Sequence, residues 1–358
     1  MIMKYSVIVP VYNRPDEVDE LLASLCSQTL RDFEVIIVED GSQQPCKDVC
    51  DKYASILDLH YYCKENSGPG QSRNYGVERA HGEYVIILDS DVVLPEGYLE
   101  ATEKALAARQ TASPSEGNGG GIAAWGGPDA SHPSFTPVQK AISYSMTSFF
   151  TTGGIRGGKK KLDKFYPRSF NMGIRRDVYQ QLGGFSKMRF GEDVDFSYRI
   201  VEAGYQPRLF PEAWVWHKRR TDFRKFFRQV YNSGIARINL EKRHPGTLKL
   251  VHLLPMVFTL GVIALVLCSA VGRVLMHYDD VHRWYWLCAA PWLPLLFYSF
   301  VICLDSTRQN KSLKVGLLSV PAAFVQLMGY GLGFLESWWK RCVLKQDEFT
   351  AFEKNFYK

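Results

Sequence analysis

The first 249 residues lack any long uncharged run, and the start of the chain lacks the basic-then-apolar pattern of a secretory leader. Tyr5 to Pro10 already reads as a buried strand, so the part that follows is expected to stay on the cytosolic side. Self-similarity with a period of 20 to 50 residues is absent, which argues against a solenoid or a propeller. Paired cysteines at zinc-site spacing are missing as well. Cys46 and Cys50 have no second pair, and the eight cysteines are scattered as ordinary thiols of a reducing compartment.

The apolar residues are concentrated in the last third. Segments at about 250–272, 284–304 and 315–336 are each long enough to cross a bilayer, and three in a row predict an integral membrane protein rather than buried core helices. The net charge of +6 is concentrated between Arg208 and Lys249, just before the first apolar segment. That position favours anionic lipid headgroups over nucleic acid as the partner. Between Asp222 and Arg243, Phe223, Phe226, Phe227, Val230, Tyr231, Ile235 and Ile238 recur at helical spacing among arginines and lysines, as in a helix lying in the headgroup region. The expected organisation is a catalytic domain at 1–220, a basic interfacial helix region at 221–249, and a membrane region with two or three crossings and a basic tail at 250–358. Three full crossings would leave Lys340, Arg341 and Lys345 outside, against the usual charge bias. The glycine-rich third segment, with Pro321, Gly329, Gly331 and Gly333, is therefore read as re-entrant or interfacial.

The N-terminal part alternates strand and helix, which predicts an α/β domain with a largely parallel sheet. Strands are expected at Tyr5–Val11, Glu34–Glu39 and Tyr84–Leu88, with a helix at Val18–Gln28. Residues 111–121 and 153–164 read as loops, and a short strand is expected near Ile122–Trp125.

In open α/β sheets ligands gather at the carboxyl ends of the strands. The first strand ends at Pro10-Val11-Tyr12-Asn13-Arg14 and the second at Glu39-Asp40-Gly41-Ser42. A carboxylate there can accept from a base imide or ribose hydroxyls while Tyr12 flanks the base, although acids after strands also cap turns. The third strand runs into Asp89-Ser90-Asp91, where two carboxylates in a tight turn can face a hard cation that bridges a diphosphate. Arg73, in the preceding Gly-rich stretch, can pair with the diphosphate or hold an aspartate of that turn. Asp193, with Glu192 second, is the candidate base for an acceptor hydroxyl, against the plainer reading of acids favouring a helix start. His217 can complete a metal set through an imidazole nitrogen.

Three stretches, SVIVPVYNRPDEVDELLASLCSQTLRDFEVIIVEDGS, NSGPGQSRNYGVERAHGEYVIILDSDV and SFNMGIRRDVYQQLGGFSKMRFGEDVDFSYRIVEAGYQPRLFPEAWVWHKRR, resemble the family-2 inverting glycosyltransferases with the GT-A fold, a Rossmann-like mixed sheet. The resemblance covers about residues 4–220. It implies donor binding at Pro10, Tyr12, Asp40 and Arg73, Mn2+ or Mg2+ at Asp89 and Asp91 with His217 in the place of a third ligand, and Asp193 as base. Asp89 counts with the donor contacts as well. Glu39 stands where many relatives carry aspartate, so the base contact is open between Glu39 and Asp40. Asn171, Gly173 and Gly184 match the part that shapes the sugar and acceptor side. The Gln-x-x-Arg-Trp motif of processive synthases is missing after His217: the only Arg-Trp pair is Arg283-Trp284, and Asp280 stands where the glutamine belongs.

The expected activity is transfer of one sugar from a nucleotide diphosphate sugar, most readily a UDP-sugar, to a glycan or lipid-linked acceptor. The alternatives are a polyprenyl-phosphate glycosyl synthase, whose nucleophile is a lipid phosphate, and a membrane scaffold without catalysis.

Overall fold

The computed structural model describes residues 3–110, 121–132, 134–153, 165–278 and 288–348. The two expected loops, apart from Gly121 and Gly153, the beginning of the second apolar segment and the end of the tail lie outside the described residues.

In chain order the first elements are β1 (Tyr5–Val11), α1 (Pro15–Cys26), β2 (Phe33–Asp40), α2 (Lys47–Tyr53), β3 (Asp58–Lys64), α3 (Pro69–Val77), β4 (Tyr84–Leu88), β5 (Val92–Val93) and α4 (Tyr98–Gln110). They are followed by β6 (Ala124–Gly126), β7 (Asp129–Ala130), α5 (Pro137–Thr147), α6 (Phe149–Thr152), β8 (Asn171–Arg175), α7 (Arg176–Gln181), α8 (Glu192–Glu202), β9 (Arg208–Leu209) and β10 (Val215–His217). The remaining long helices are α9 (Phe223–Arg243), α10 (Leu254–Tyr278), α11 (Leu293–Asn310) and α12 (Leu313–Trp338).

The described residues divide into two compact units, one built from stretches within 1–132 and 161–218, the other from stretches within 133–160 and 219–351. The first unit holds a seven-stranded sheet in the order β3-β2-β1-β4-β8-β6-β9. Strands β1 to β4 are parallel, whereas β8 enters antiparallel beside β4, so the sheet is mixed. Every residue of β2 and β4 is buried, as expected for strands covered on both faces. Successive side chains still alternate: Val7, Val9, Val35, Ile37, Ile86 and Leu88 pack under α1, while Ile8, Ile36, Val38, Val85 and Ile87 pack with Val178 and Phe196 on the other face. Helix α1 meets its layer through Val18, Leu21, Leu22 and Leu25, one stripe at 3.6-residue spacing.

A second sheet of three short strands, β5-β10-β7, brings distant parts of the sequence to the end of β4. The expected strand near Ile122–Trp125 is β6, shifted to Ala124–Gly126. Its Trp125 fills the space over Gly173, where an added Cβ would lie 2.0 Å from the indole. Gly173→Ala is expected to destabilise the first unit by about 1–3 kcal/mol through overpacking, read as a lowered thermal unfolding midpoint of the detergent-solubilised chain. An unchanged midpoint would show that Trp125 repacks freely.

In the second unit, three helices are long and apolar enough to cross a membrane, at 250–275, 290–310 and 313–343, which makes the chain an integral membrane protein. The third is an unbroken helix through Leu313–Trp338 despite Pro321, which excludes the helix-turn-helix of a re-entrant loop.

Candidate active site

The site is built at the carboxyl end of β4. The five apolar residues of β4 end at Leu88, and the chain turns through Asp89-Ser90-Asp91, with Val92 N–H donating to Asp89 O at 3.3 Å. Strand β10 pairs antiparallel with β5, placing His217 opposite Val92, and Lys218 N–H donates to Asp91 O at 3.0 Å. That register brings an imidazole from far along the chain to the aspartate turn. His217 Nε2 lies 3.3 Å from Asp91 Oδ1, its Nδ1 faces Asp129 Oδ2 at 3.9 Å, and its ring stacks on Phe170 with centroids 4.9 Å apart. Asp89, Asp91 and His217 each offer one ligand atom within 4.8 Å of the others. Two carboxylate oxygens and one imidazole nitrogen, held by a strand register and a stacked ring, fit a divalent cation of the Mn2+ or Mg2+ type.

Arg73 joins this cluster to the acidic start of α8. Its guanidinium contacts Asp89 Oδ1 at 2.7 Å and Glu192 Oε1 at 3.1 Å and lies over the Phe185 ring. The arginine is 3% exposed, so it braces two acidic groups rather than standing at the surface. The approach of α3 to α8 depends on Gly70, where a Cβ would meet Glu192 Cγ at 3.2 Å and Phe185 Cβ at 3.3 Å.

Asp193 is held by Arg168, whose Nε donates to Oδ2 at 2.6 Å, while Val194 N–H donates to Oδ1 at 2.9 Å. Burial acts to raise its pKa, but Arg168 and Arg73 outweigh it and hold the carboxyl below its usual range. Glu192 goes the other way: burial, reinforced by the Asp193 carboxylate, pushes it up to about 7 against the pull of Arg73. Asp193 is thus the ionised member of the pair at neutral pH. Because the folded-state pKa of Glu192 lies above its unfolded value, its contribution to stability is full below about pH 4.5 and is lost as pH rises through about 7. Glu192→Gln is therefore expected to raise the thermal midpoint over that of the native chain at pH 8 by a few degrees, with little difference at pH 4. Equal shifts at both pH values would contradict the assigned protonation.

Glu39 and Asp40 are 0% and 3% exposed. Glu39 accepts from Ser42 Oγ, from Cys46 N–H at 2.8 Å and from Tyr61 OH at 3.3 Å, fixing the β2–α2 turn. Asp40 accepts from Ser67 N–H at 2.9 Å, Gly68 N–H at 2.8 Å and the Lys64 ammonium, tying β2 to the start of α3. Pro10 is half-buried and Tyr12 is exposed at the end of β1. Between them and the β2 turn, Asn13 takes a left-handed φ of 54° and its Oδ1 accepts from Gln43 and Gln44 N–H, locking the two strand ends together.

Asn171, Gly173 and Gly184 make internal contacts. Asn171 accepts from Tyr98 OH at 2.6 Å and donates to Ala213 O at 2.8 Å, Gly173 underlies Trp125, and Gly184 has φ +63° where a Cβ would strike Asn74 Oδ1 at 2.4 Å.

Two arginines of the site have no role in the sequence reading. Arg14, one residue past Asn13, contacts Asp91 Oδ2 at 3.2 Å, and Arg168 holds Asp193. Arg14 stood inside a quoted motif and could have been found there. Arg168 carries no local signal.

A mixed sheet with an Asp-x-Asp turn at its switch point, an imidazole arriving on a short second sheet and an acidic pair opening a later helix define a GT-A fold. Residues 6–183 match the profile of glycosyl transferase family 2, and residues 165–302 match glycosyl transferase family group 2. The chain belongs to the family-2 glycosyltransferases. It is 29% identical over 253 residues to the pre-mycofactocin glycosyltransferase of Mycobacterium tuberculosis, covering 67% of this chain and 48% of that protein. It is 41% identical over 93 residues to the poly(ribitol-phosphate) beta-N-acetylglucosaminyltransferase TarS of Staphylococcus aureus, covering 25% of this chain and 16% of the relative. The chain thus spans about half the length of the first of these relatives and less of the second. A solved mannosyltransferase from Pyrobaculum calidifontis, in complex with GDP-Man and Mn2+, shares the fold with a TM-score of 0.56 at 16% identity, over 90% of this chain and 86% of that one.

Proposed function

We propose that the chain is an inverting, metal-dependent glycosyltransferase that moves one sugar from a nucleotide diphosphate sugar, a UDP-sugar foremost, to a hydroxyl of a glycan or glycolipid at the cytosolic membrane face. The observation that carries this reading is the junction at Arg73, which ties a divalent-cation cluster to an acidic pair of which one member stays ionised.

Asp89, Asp91 and His217 would hold Mn2+ or Mg2+, which when bound stabilises the negative charge developing on a departing diphosphate. The imidazole in the set favours Mn2+. Asp193 takes the proton of the acceptor hydroxyl as its oxygen attacks the anomeric carbon and the bond to the leaving phosphate breaks. Arg168 orients that carboxylate and keeps it ionised. Arg73 holds Asp89 and Glu192 in place before the donor arrives. Tyr12 and Pro10 flank the nucleotide base and Asp40 is the carboxylate beside it, whereas Glu39 supports the turn from behind. Asn171, Gly173 and Gly184 shape the sugar and acceptor side from within, by setting the backbone they occupy. The missing processive motif supports transfer of a single sugar.

One observation favours a second reading. A carboxylate lowered by Arg168 is a weak base, which suits a lipid phosphate nucleophile that needs little deprotonation. Incubating the purified full chain with a panel of nucleotide sugars and either Mn2+ or Mg2+, and measuring released nucleotide, tests the proposal. Release that a chelator abolishes is expected. No release with any donor and either metal would favour the catalytically silent scaffold.

A further inference from the structure

Of the three apolar stretches, α10 and α11 form an antiparallel hairpin. Trp292 Nε1, just before α11, donates to Ser269 Oγ at 2.8 Å, and further along α11 the Tyr298 ring lies 5.9 Å from that of Phe258 near the start of α10. Val266, Leu267, Val271, Phe297 and Phe300 along this hairpin are exposed, as lipid-facing side chains are.

Helix α12 is placed differently. From residue 322 to 337 none of its residues is exposed. Its contacts with the hairpin are to the first turns of α10 and to α11 from Tyr298 onward: Thr259 Oγ1 approaches Leu327 O at 3.4 Å, the Phe324 ring lies 6.3 Å from that of Tyr298, and Ser306 Oγ shares a hydrogen bond with Ser319 Oγ at 2.7 Å. Its main neighbour is α9, and the two run parallel. A Cβ at Gly329 would meet Val230 Cγ2 at 2.6 Å, one at Gly234 would meet Tyr330 O at 2.2 Å, and one at Gly333 would meet Tyr231 O at 2.1 Å. Further along, Ser337 Oγ donates to Ile235 O at 3.2 Å, and Arg243, the last residue of α9, pairs with Glu348, past the end of α12, at 2.7 Å. The residue numbers rise together on both helices, so the path of α12 is the path of α9.

Helix α9 contains Arg224, Lys225, Arg228, Arg237, Glu241, Lys242 and Arg243. A crossing α9 would carry Arg228 and Arg237 into the hydrocarbon in its inner turns, and charged side chains at that depth are costly and rare. Helix α9 ends where the chain enters α10, on the side from which the first crossing starts. Helix α12 begins on that same side, because the hairpin crosses out and back.

We infer that α12 does not cross the bilayer but lies with α9 against the lipid headgroups, so that the chain crosses twice and its C-terminal end lies on the side of α9. The partner of this paired surface is the anionic lipid face, and its basic groups include Lys340, Arg341 and Lys345. Those three then stand on the same side as the basic residues of α9, in keeping with the positive-inside bias. Apolar length alone does not separate α12 from a crossing helix; the glycine-mediated docking on a charged helix does.

Sealed vesicles of both orientations, carrying the full chain, provide the test. Two exposed native cysteines report on the two regions to be compared, Cys63 in the first unit and Cys342 just beyond α12. A membrane-impermeant maleimide is expected to label both from the same face, as mapped by peptide, and a protease should remove an N-terminal and a C-terminal tag from that face alone. Labelling of Cys342 from the face opposite to Cys63, or equal labelling from both faces of sealed vesicles, overturns the inference. This readout does not depend on any sugar transfer.

Discussion

Asp91→Asn is expected to lower metal-dependent turnover by about 10³-fold, since the variant loses one charged ligand at the point where leaving-group charge is neutralised. Asp91 is a sharper test than Asp89, because Asp89 also anchors Arg73 and its loss would disturb α8 as well. A readout apart from activity is available: Mn2+ alone should raise the thermal midpoint of the native chain by mass action, and raise that of the variant much less. Higher Mn2+ should restore part of the lost turnover. Unchanged turnover in the variant, or turnover indifferent to a chelator, would remove the basis of the proposed chemistry.

Asp193→Asn carries the next largest expected effect, a fall of about 10²–10⁴-fold in turnover with a hydroxyl acceptor and little change in donor affinity. The geometry explains the split. Asp193 is hydrogen-bonded to Arg168 and, among the described contacts, neither accepts from Arg73 nor touches Asp89 or Asp91, so removing its charge leaves the hydrogen bonds of the donor side in place. In the native chain the acid limb of the rate profile should lie below the ordinary carboxylate range, because Arg168 and Arg73 keep Asp193 ionised in spite of burial. A variant that keeps most of its rate with a lipid phosphate acceptor would favour the second reading over the first.

Much of the catalytic unit was legible residue by residue. The buried runs of β1, β2 and β4 carry unbroken apolar stretches ending in polar residues, and such strands declare both their place in a sheet and the end where ligands gather. The Asp-Ser-Asp turn and the Glu-Asp pair were legible for the same reason, since each follows directly on a strongly patterned element. Strand β3 was missed because its half-exposed residues, Asp58 to Lys64, show no apolar run. The role of Glu39 and Asp40 was legible only in part: their position marks a strand end, but the hydrogen bonds that turn them inward come from Cys46, Ser67 and Gly68, later in the chain. Arg168 escaped because an isolated arginine before a strand has no pattern to distinguish it from a surface charge.

What the amino-acid order determined by itself is periodicity and local chemistry: which stretches bury both faces, which carry paired carboxylates, and which are apolar enough for a membrane. What only the tertiary structure decided is which of these meet. The register of β10 on β5 brings His217 to Asp91, Gly70 lets α8 approach α3 so that Arg73 reaches Glu192, and three glycines draw α12 onto a charged helix. Each of these depends on a backbone approach between segments far apart in the chain, and such approaches are set by packing and strand register, which leave no periodic trace in the sequence.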